Sequence, residues 1–104
     1  MNKNKLNLDG IHLDTKTIRL MCKTFDISYT EIRCDMIDLY GLEEFKNNTD
    51  LTAYKELADS NKDCVLAFNS YHRCTTDIKK VVDEIIVTRI LGQLQLEDNV
   101  LILH

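Results

Sequence analysis

An unbroken apolar run, Cys64-Val65-Leu66-Ala67-Phe68, makes the strongest structural statement in this sequence. A strand with one face in water alternates apolar and polar residues. A run without alternation, entered from the polar break Asn61-Lys62-Asp63, reads as a strand buried on both faces, at the centre of a parallel sheet. Helices must then connect and cover the strands. Ile78, Val81, Val82, Ile85 and Ile86 fall at helical spacing behind Thr75, Thr76 or Asp77 as a start, and the helix frays near Gly92. Asp98-Asn99 leads into a terminal strand, Val100-Leu101-Ile102-Leu103.

The first half is read in the same way. Leu6-Asn7-Leu8 before Asp9-Gly10 predicts a short strand over residues 4–8. Ile18, Met21, Cys22 and Phe25 define one apolar face of a helix over 15–25, capped by Asp14 or Thr15. Ser28 with Glu31 three residues on is a capping-box pattern. It predicts a second helix over 29–40, with Ile32, Met36 and Leu39 inward and Gly41 as its stop. Leu42 to Phe45 forms a further turn, and the loop Asn47-Asn48-Thr49-Asp50 caps a third helix faced by Leu51, Tyr54, Leu57 and Ala58. The order β-α-α-α-β-α-β gives an α/β fold: a small three-stranded parallel sheet with three to four helices packed on it. At 104 residues the chain is a single α/β domain, residues 1–104.

Composition removes several classes of function. With 44% hydrophobic and 29% charged residues the chain is neither disordered nor membrane-spanning. A net charge of −4 opposes nonspecific nucleic-acid binding, which needs a cationic surface. The basic start Met1-Asn2-Lys3-Asn4-Lys5 lacks the apolar core of a secretory signal, so a cytoplasmic protein is expected. Cys22, Cys34, Cys64 and Cys74 contain no closely spaced pair, so reduced structural thiols are expected, and no metal or cofactor. Ser28, Ser60 and Ser70 lack a glycine-rich elbow, and His12, His72 and His104 show no local partner pattern. An enzyme is not expected.

The charge is polarised. Residues 26–59 hold nine acidic and three basic residues, whereas the rest of the chain holds eight acidic and ten basic. On the expected second helix Glu31, Asp35 and Asp38 fall at i, i+4 and i+7, within about 60° of one another. Like charges at that spacing cost a helix a few tenths of a kcal/mol. A solvated helix face is the plain reading of such a stripe. The functional reading is a surface that docks on a cationic partner, with Tyr29 at its start and Glu43 and Glu44 as its rim.

Here the chain resembles the barstar-like family of ribonuclease inhibitors. The residues that carry the resemblance are Leu8-Asp9-Gly10-Ile11, Val65-Leu66-Ala67-Phe68 with the long helix after it, and Asn99-Val100-Leu101-Ile102-Leu103. Thr30 and Ile32 stand where the family has Gly followed by Asn, no Trp accompanies the helix carboxylates, and residues 42–60 look like an added segment. The resemblance implies a bacterial immunity protein or antitoxin that blocks a basic toxin nuclease, with Tyr29, Asp35 and Asp38 at the contact. On this reading Tyr29 packs on the toxin while Glu31, Asp35 and Asp38 take up its Arg, Lys or His groups.

Two alternatives use the same residues differently. In a catalytically inactive thioredoxin- or glutaredoxin-like binding module, residues 25–32 turn into a second strand instead of starting a helix. In a helix-turn-helix regulator, Phe25, Ile27 and Ile32 form the motif core, but the recognition helix would then present Glu31, Asp35 and Asp38 to phosphates.

Overall fold

The computed structural model describes residues 15–47, 55–59 and 61–104. The strand expected over residues 4–8 lies outside the described residues, as do Leu51 and Tyr54. The described elements are α1 (Thr15–Thr24), β1 (Ser28–Arg33), α2 (Leu39–Asn47), α3 (Lys55–Ala58), β2 (Cys64–Asn69), α4 (Thr76–Thr88), β3 (Ile90–Leu91), β4 (Leu94–Gln95) and β5 (Val100–Leu103). A 3-10 turn, Tyr71–Arg73, joins β2 to α4. The α/β architecture holds: three parallel strands in the order β1-β2-β5, with three longer helices and the single turn of α3. A separate antiparallel hairpin, β3-β4, has no counterpart in the expected order.

The apolar run becomes the central strand, with Cys64 level with Ser28 on one side and Val100 on the other. Every residue from Cys64 to Phe68 is buried. Alternation divides them: Val65 and Ala67 join Cys22 and Ile27 on the α1 side, whereas Cys64, Leu66 and Phe68 join the larger core under α2 and α4. Strands added in one direction across a sheet, with right-handed crossovers, carry both connecting helices on the same face. Leu42 and Phe45 of α2 accordingly share one cluster with Ile78, Val82 and Ile85 of α4.

The helix over 29–40 is not present. Residues 28–33 form β1, and a turn through Met36 and Ile37, whose amides donate to the Arg33 carbonyl, leads to α2. A helix-turn-helix over this segment is thereby removed, and residues 25–32 turn into a strand instead of starting a helix. The reason is non-local: Ser28 to Arg33 hydrogen-bond along β2, and Ile32 buries its side chain beside the central strand. A capping-box pattern is a local preference, and tertiary pairing overrides it. Asp26, at φ 55°, supplies the left-handed bend between α1 and β1, a conformation Asp tolerates.

Gly41 does not stop a helix; it lies in the first turn of α2. Asp38 precedes that turn and caps it, its Oδ1 accepting from the Gly41 amide at 2.7 Å while its carbonyl accepts from Leu42. A Cβ at position 41 would stand 3.1 Å from that capping oxygen, so glycine keeps the cap open.

Candidate functional site

The expected docking residues separate into three groups. Tyr29 and Glu31 sit on the α1 side of β1, both half-buried. Glu31 is ion-paired with Arg19 of α1 and accepts a hydrogen bond from Asn69 Nδ2. The Arg19 guanidinium lies over the Tyr29 ring, 5.2 Å from its centroid, and Asn69 Nδ2 donates to the Tyr29 hydroxyl at 3.2 Å. These two residues hold α1 against the sheet; they are not presented outward.

Asp35 follows β1 and is held by the Arg33 fork at 2.9 and 3.1 Å. That hydrogen bonding pulls the Asp35 carboxyl below its ordinary range, and raises the Arg33 guanidinium in turn. Asp38 is the helix cap. The three carboxylates therefore do not form a helical stripe. Glu31 and Asp35 are neutralised by the chain's own arginines, and Asp38 serves a backbone amide.

Glu43 and Glu44 do face outward, on α2. Leu42 and Phe45 point inward, which leaves Tyr40, Glu43, Glu44 and Asn47 at i, i+3, i+4 and i+7 on the exposed side. Tyr40 is 74% exposed and Met36, in the turn before the helix, 76%. Leu39 is also exposed. Lys46 leans from α2 to pair with Glu84 of α4 at 2.7 Å. The outer side of α2 thus combines an aromatic-aliphatic patch with a carboxylate edge. Met36 and Leu39, expected inward with Ile32 on a helix over 29–40, are exposed instead, because that segment is a strand and a turn leading into α2; Tyr40 has no place in that expected apolar face. The signal that finds them is Leu42 and Phe45, spaced three apart as the inward pair of a helix that begins after Asp38.

No disulfide joins the four cysteines. Cys22, Cys34 and Cys64 are buried and Cys74 is half-buried. Burial pushes the Cys34 thiol up to about 11, helped by the neighbouring Cys74 thiol and the Asp35 charge. Burial also raises Cys22. Thiolate is the reactive form, so a thiol-specific reagent should label Cys74 first on the native protein, and the other three at the rate of unfolding. Peptide mapping after a short exposure checks this; early labelling of Cys34 would contradict its burial. Among the described residues, no cluster of three or more His, Cys, Asp or Glu is placed to hold a metal ion, and no helix is long and apolar enough to cross a membrane.

No protein-family model matches the chain, and neither a curated protein nor a solved structure shows significant similarity to it.

Proposed function

We propose that the protein is a small acidic binding module that inhibits or sequesters a basic protein, in its most concrete form an immunity protein or antitoxin that neutralises a nuclease toxin. The observation that carries this reading is the exposed patch Met36, Leu39 and Tyr40, edged by Asp38, Glu43 and Glu44. Isolated exposed apolar residues are ordinary, but an exposed aromatic grouped with aliphatic neighbours inside a polar rim has the composition of a protein interface core. The rim is negative, so the complementary partner is positive. A nuclease active site fits, because it must hold phosphate. Tyr40 with Glu43 and Glu44, one aromatic beside helix carboxylates on the exposed face of α2, supports this reading.

The test begins by retaining a partner from lysate of the source cells on immobilised protein and identifying it. Its affinity is then measured for four proteins: the wild type, Tyr40→Ala, the double variant Glu43→Gln/Glu44→Gln, and Asp35→Asn. The expected partner is basic. Tyr40→Ala should weaken binding by about 30-fold or more, the size of an interface hot spot. The double variant should slow association and flatten its salt dependence. Asp35→Asn should leave affinity unchanged, because Arg33 already occupies that carboxylate. An acidic partner, or Tyr40→Ala binding as tightly as wild type, would remove α2 as the dock.

A further inference from the structure

Two of the four thiols meet where β1 and β2 leave the sheet. The ladder between these strands ends with Arg33 level with Asn69, and the Cys34 amide donates to the Asn69 carbonyl at 2.9 Å, one step further on. Ile32 and Cys34, two residues apart, both face the core under α2 and α4. On the neighbouring strand Ser70, at φ 61°, bends the chain out of β2. A single 3-10 turn, Tyr71–Arg73, folds it back, and Cys74 packs on the same core. The Cys74 thiol donates to the Tyr71 carbonyl at 3.0 Å, which holds its sulfur at the turn. Cys34 and Cys74 are thus neighbours, thiol beside thiol, although distant in sequence.

The other two cysteines are placed elsewhere. Cys22 belongs to the cluster on the α1 side of the sheet. Cys64 begins β2, about 16 Å along the strand from Asn69. The neighbouring thiols differ in access: Cys34 is 2% exposed, whereas Cys74 is half-buried. One reachable and one hidden thiol divide the work of oxidation, since the first meets the oxidant and the second meets only the first.

From this geometry we infer that Cys34 and Cys74 are a redox pair, which a hydroperoxide converts into an intramolecular disulfide. The Cys74 sulfur, as thiolate, attacks the terminal peroxide oxygen. The O–O bond breaks, the departing oxygen takes up the proton that Cys74 gave up, and Cys74 becomes a sulfenic acid. The Cys34 sulfur then attacks the Cys74 sulfur. The S–S bond forms, the S–O bond breaks, and hydroxide leaves as water with the Cys34 proton. The two thiols lose two electrons and the peroxide gains them. The product ties the end of β1 to the start of α4 and closes the segment that carries α2, α3 and β2. Burial holds the Cys34 thiol at about 11, so Cys34 is a poor leaving group when a reductant attacks the Cys74 sulfur, and the link is slow to reverse. The pair does not depend on the α2 patch.

The experiment exposes the folded, fully reduced protein to hydrogen peroxide, then unfolds it in N-ethylmaleimide. The product should be a monomer that takes up two maleimide groups instead of four, and unreduced peptide mapping should join Cys34 to Cys74. Closing a loop of about 40 residues should raise the thermal midpoint by about 10 °C or more. Cys34→Ala is a small change, because a buried thiol packs as a small hydrophobe. It should leave Cys74 as a sulfenic acid that dimedone captures. Cys74→Ala, at the half-buried position, should leave Cys34 unoxidised in the folded protein. A link through Cys22 or Cys64, a dimer joined through Cys74, a Cys34–Cys74 link that leaves the midpoint unchanged or lower, or undiminished disulfide in Cys34→Ala would each overturn the inference.

Discussion

Replacing Leu66 by Ala should destabilise the protein by about 3–5 kcal/mol, the upper part of the range for large-to-small changes in well-packed interiors. Leu66 is fully buried in the middle of β2, between Thr30 of β1 and Ile102 of β5. Strands on both sides and helices over the face leave little room for the surroundings to close on the space. Domains of this size are stable by about 5–15 kcal/mol, so the loss is a large fraction of the whole. Leu101→Ala is the control: it lies on β5 with its side chain partly in water, and should cost about 1 kcal/mol or less. Urea unfolding of the two variants measures the contrast. Similar losses in both would mean that β2 does not hold the central place in the sheet.

Local pattern was enough wherever the pattern and the tertiary environment agree. The central strand, α1 as far as Cys22, and α4 with its inward Ile78, Val81, Val82 and Ile85 were legible, whereas Phe25, expected on the apolar face of α1, lies just past its end and is exposed. Of the three expected starts, Thr75, Thr76 and Asp77, Thr75 is the cap of α4, its hydroxyl accepting from the Ile78 amide. Residues 28–40 failed because two readings share the same letters. Ser28 and Glu31 satisfy the spacing of a helix start, yet Tyr29, Thr30 and Ile32 also suit a strand. The choice is made by pairing with residues 64–69, some 36 positions away in the chain, and a short window contains nothing of that partner. Gly41 has a related explanation: a glycine after an apolar stripe fits a helix stop, whereas here it makes room for the Asp38 cap.

The same error moved the expected site. The acidic bias of the middle third is real in composition, but composition does not reveal which carboxylates the chain spends on itself. Arg19 comes from another element, and its pairing with Glu31 exists only once α1 packs on β1. Arg33 reaches Asp35 because the chain turns after β1 instead of continuing as a helix. Glu43 and Glu44, expected at the rim, lie on the exposed face of α2, with Tyr40 beside them on the same face.

The hairpin β3-β4 supplies the second large prediction. α4 ends at Arg89, which takes the left-handed conformation at φ 55° where helices commonly place glycine. The side chain explains the choice. Its Nε donates to the Leu96 carbonyl at 3.2 Å, and one terminal nitrogen donates to the carbonyls of Glu97 and Val100 at 2.7 and 2.6 Å. One residue thus stops the helix and binds the chain that returns to the sheet as β5. Arg89→Ala should cost about 2–4 kcal/mol, because charged donors to three carbonyls are lost while the unfavourable backbone conformation is retained. Arg89→Gly loses the same bonds but adopts φ > 0 freely, so it should be less destabilising than Arg89→Ala by about 1 kcal/mol. Urea denaturation separates the two contributions. Equal losses would show that the backbone at residue 89 is unstrained, and a loss under about 0.5 kcal/mol in both would show that β5 is held by the sheet alone. A lysine at this position retains the charge but not the fork, and should behave nearer to alanine than to arginine. The effect belongs to the geometry of the donors rather than to the charge, and this is why no count of charged residues revealed it.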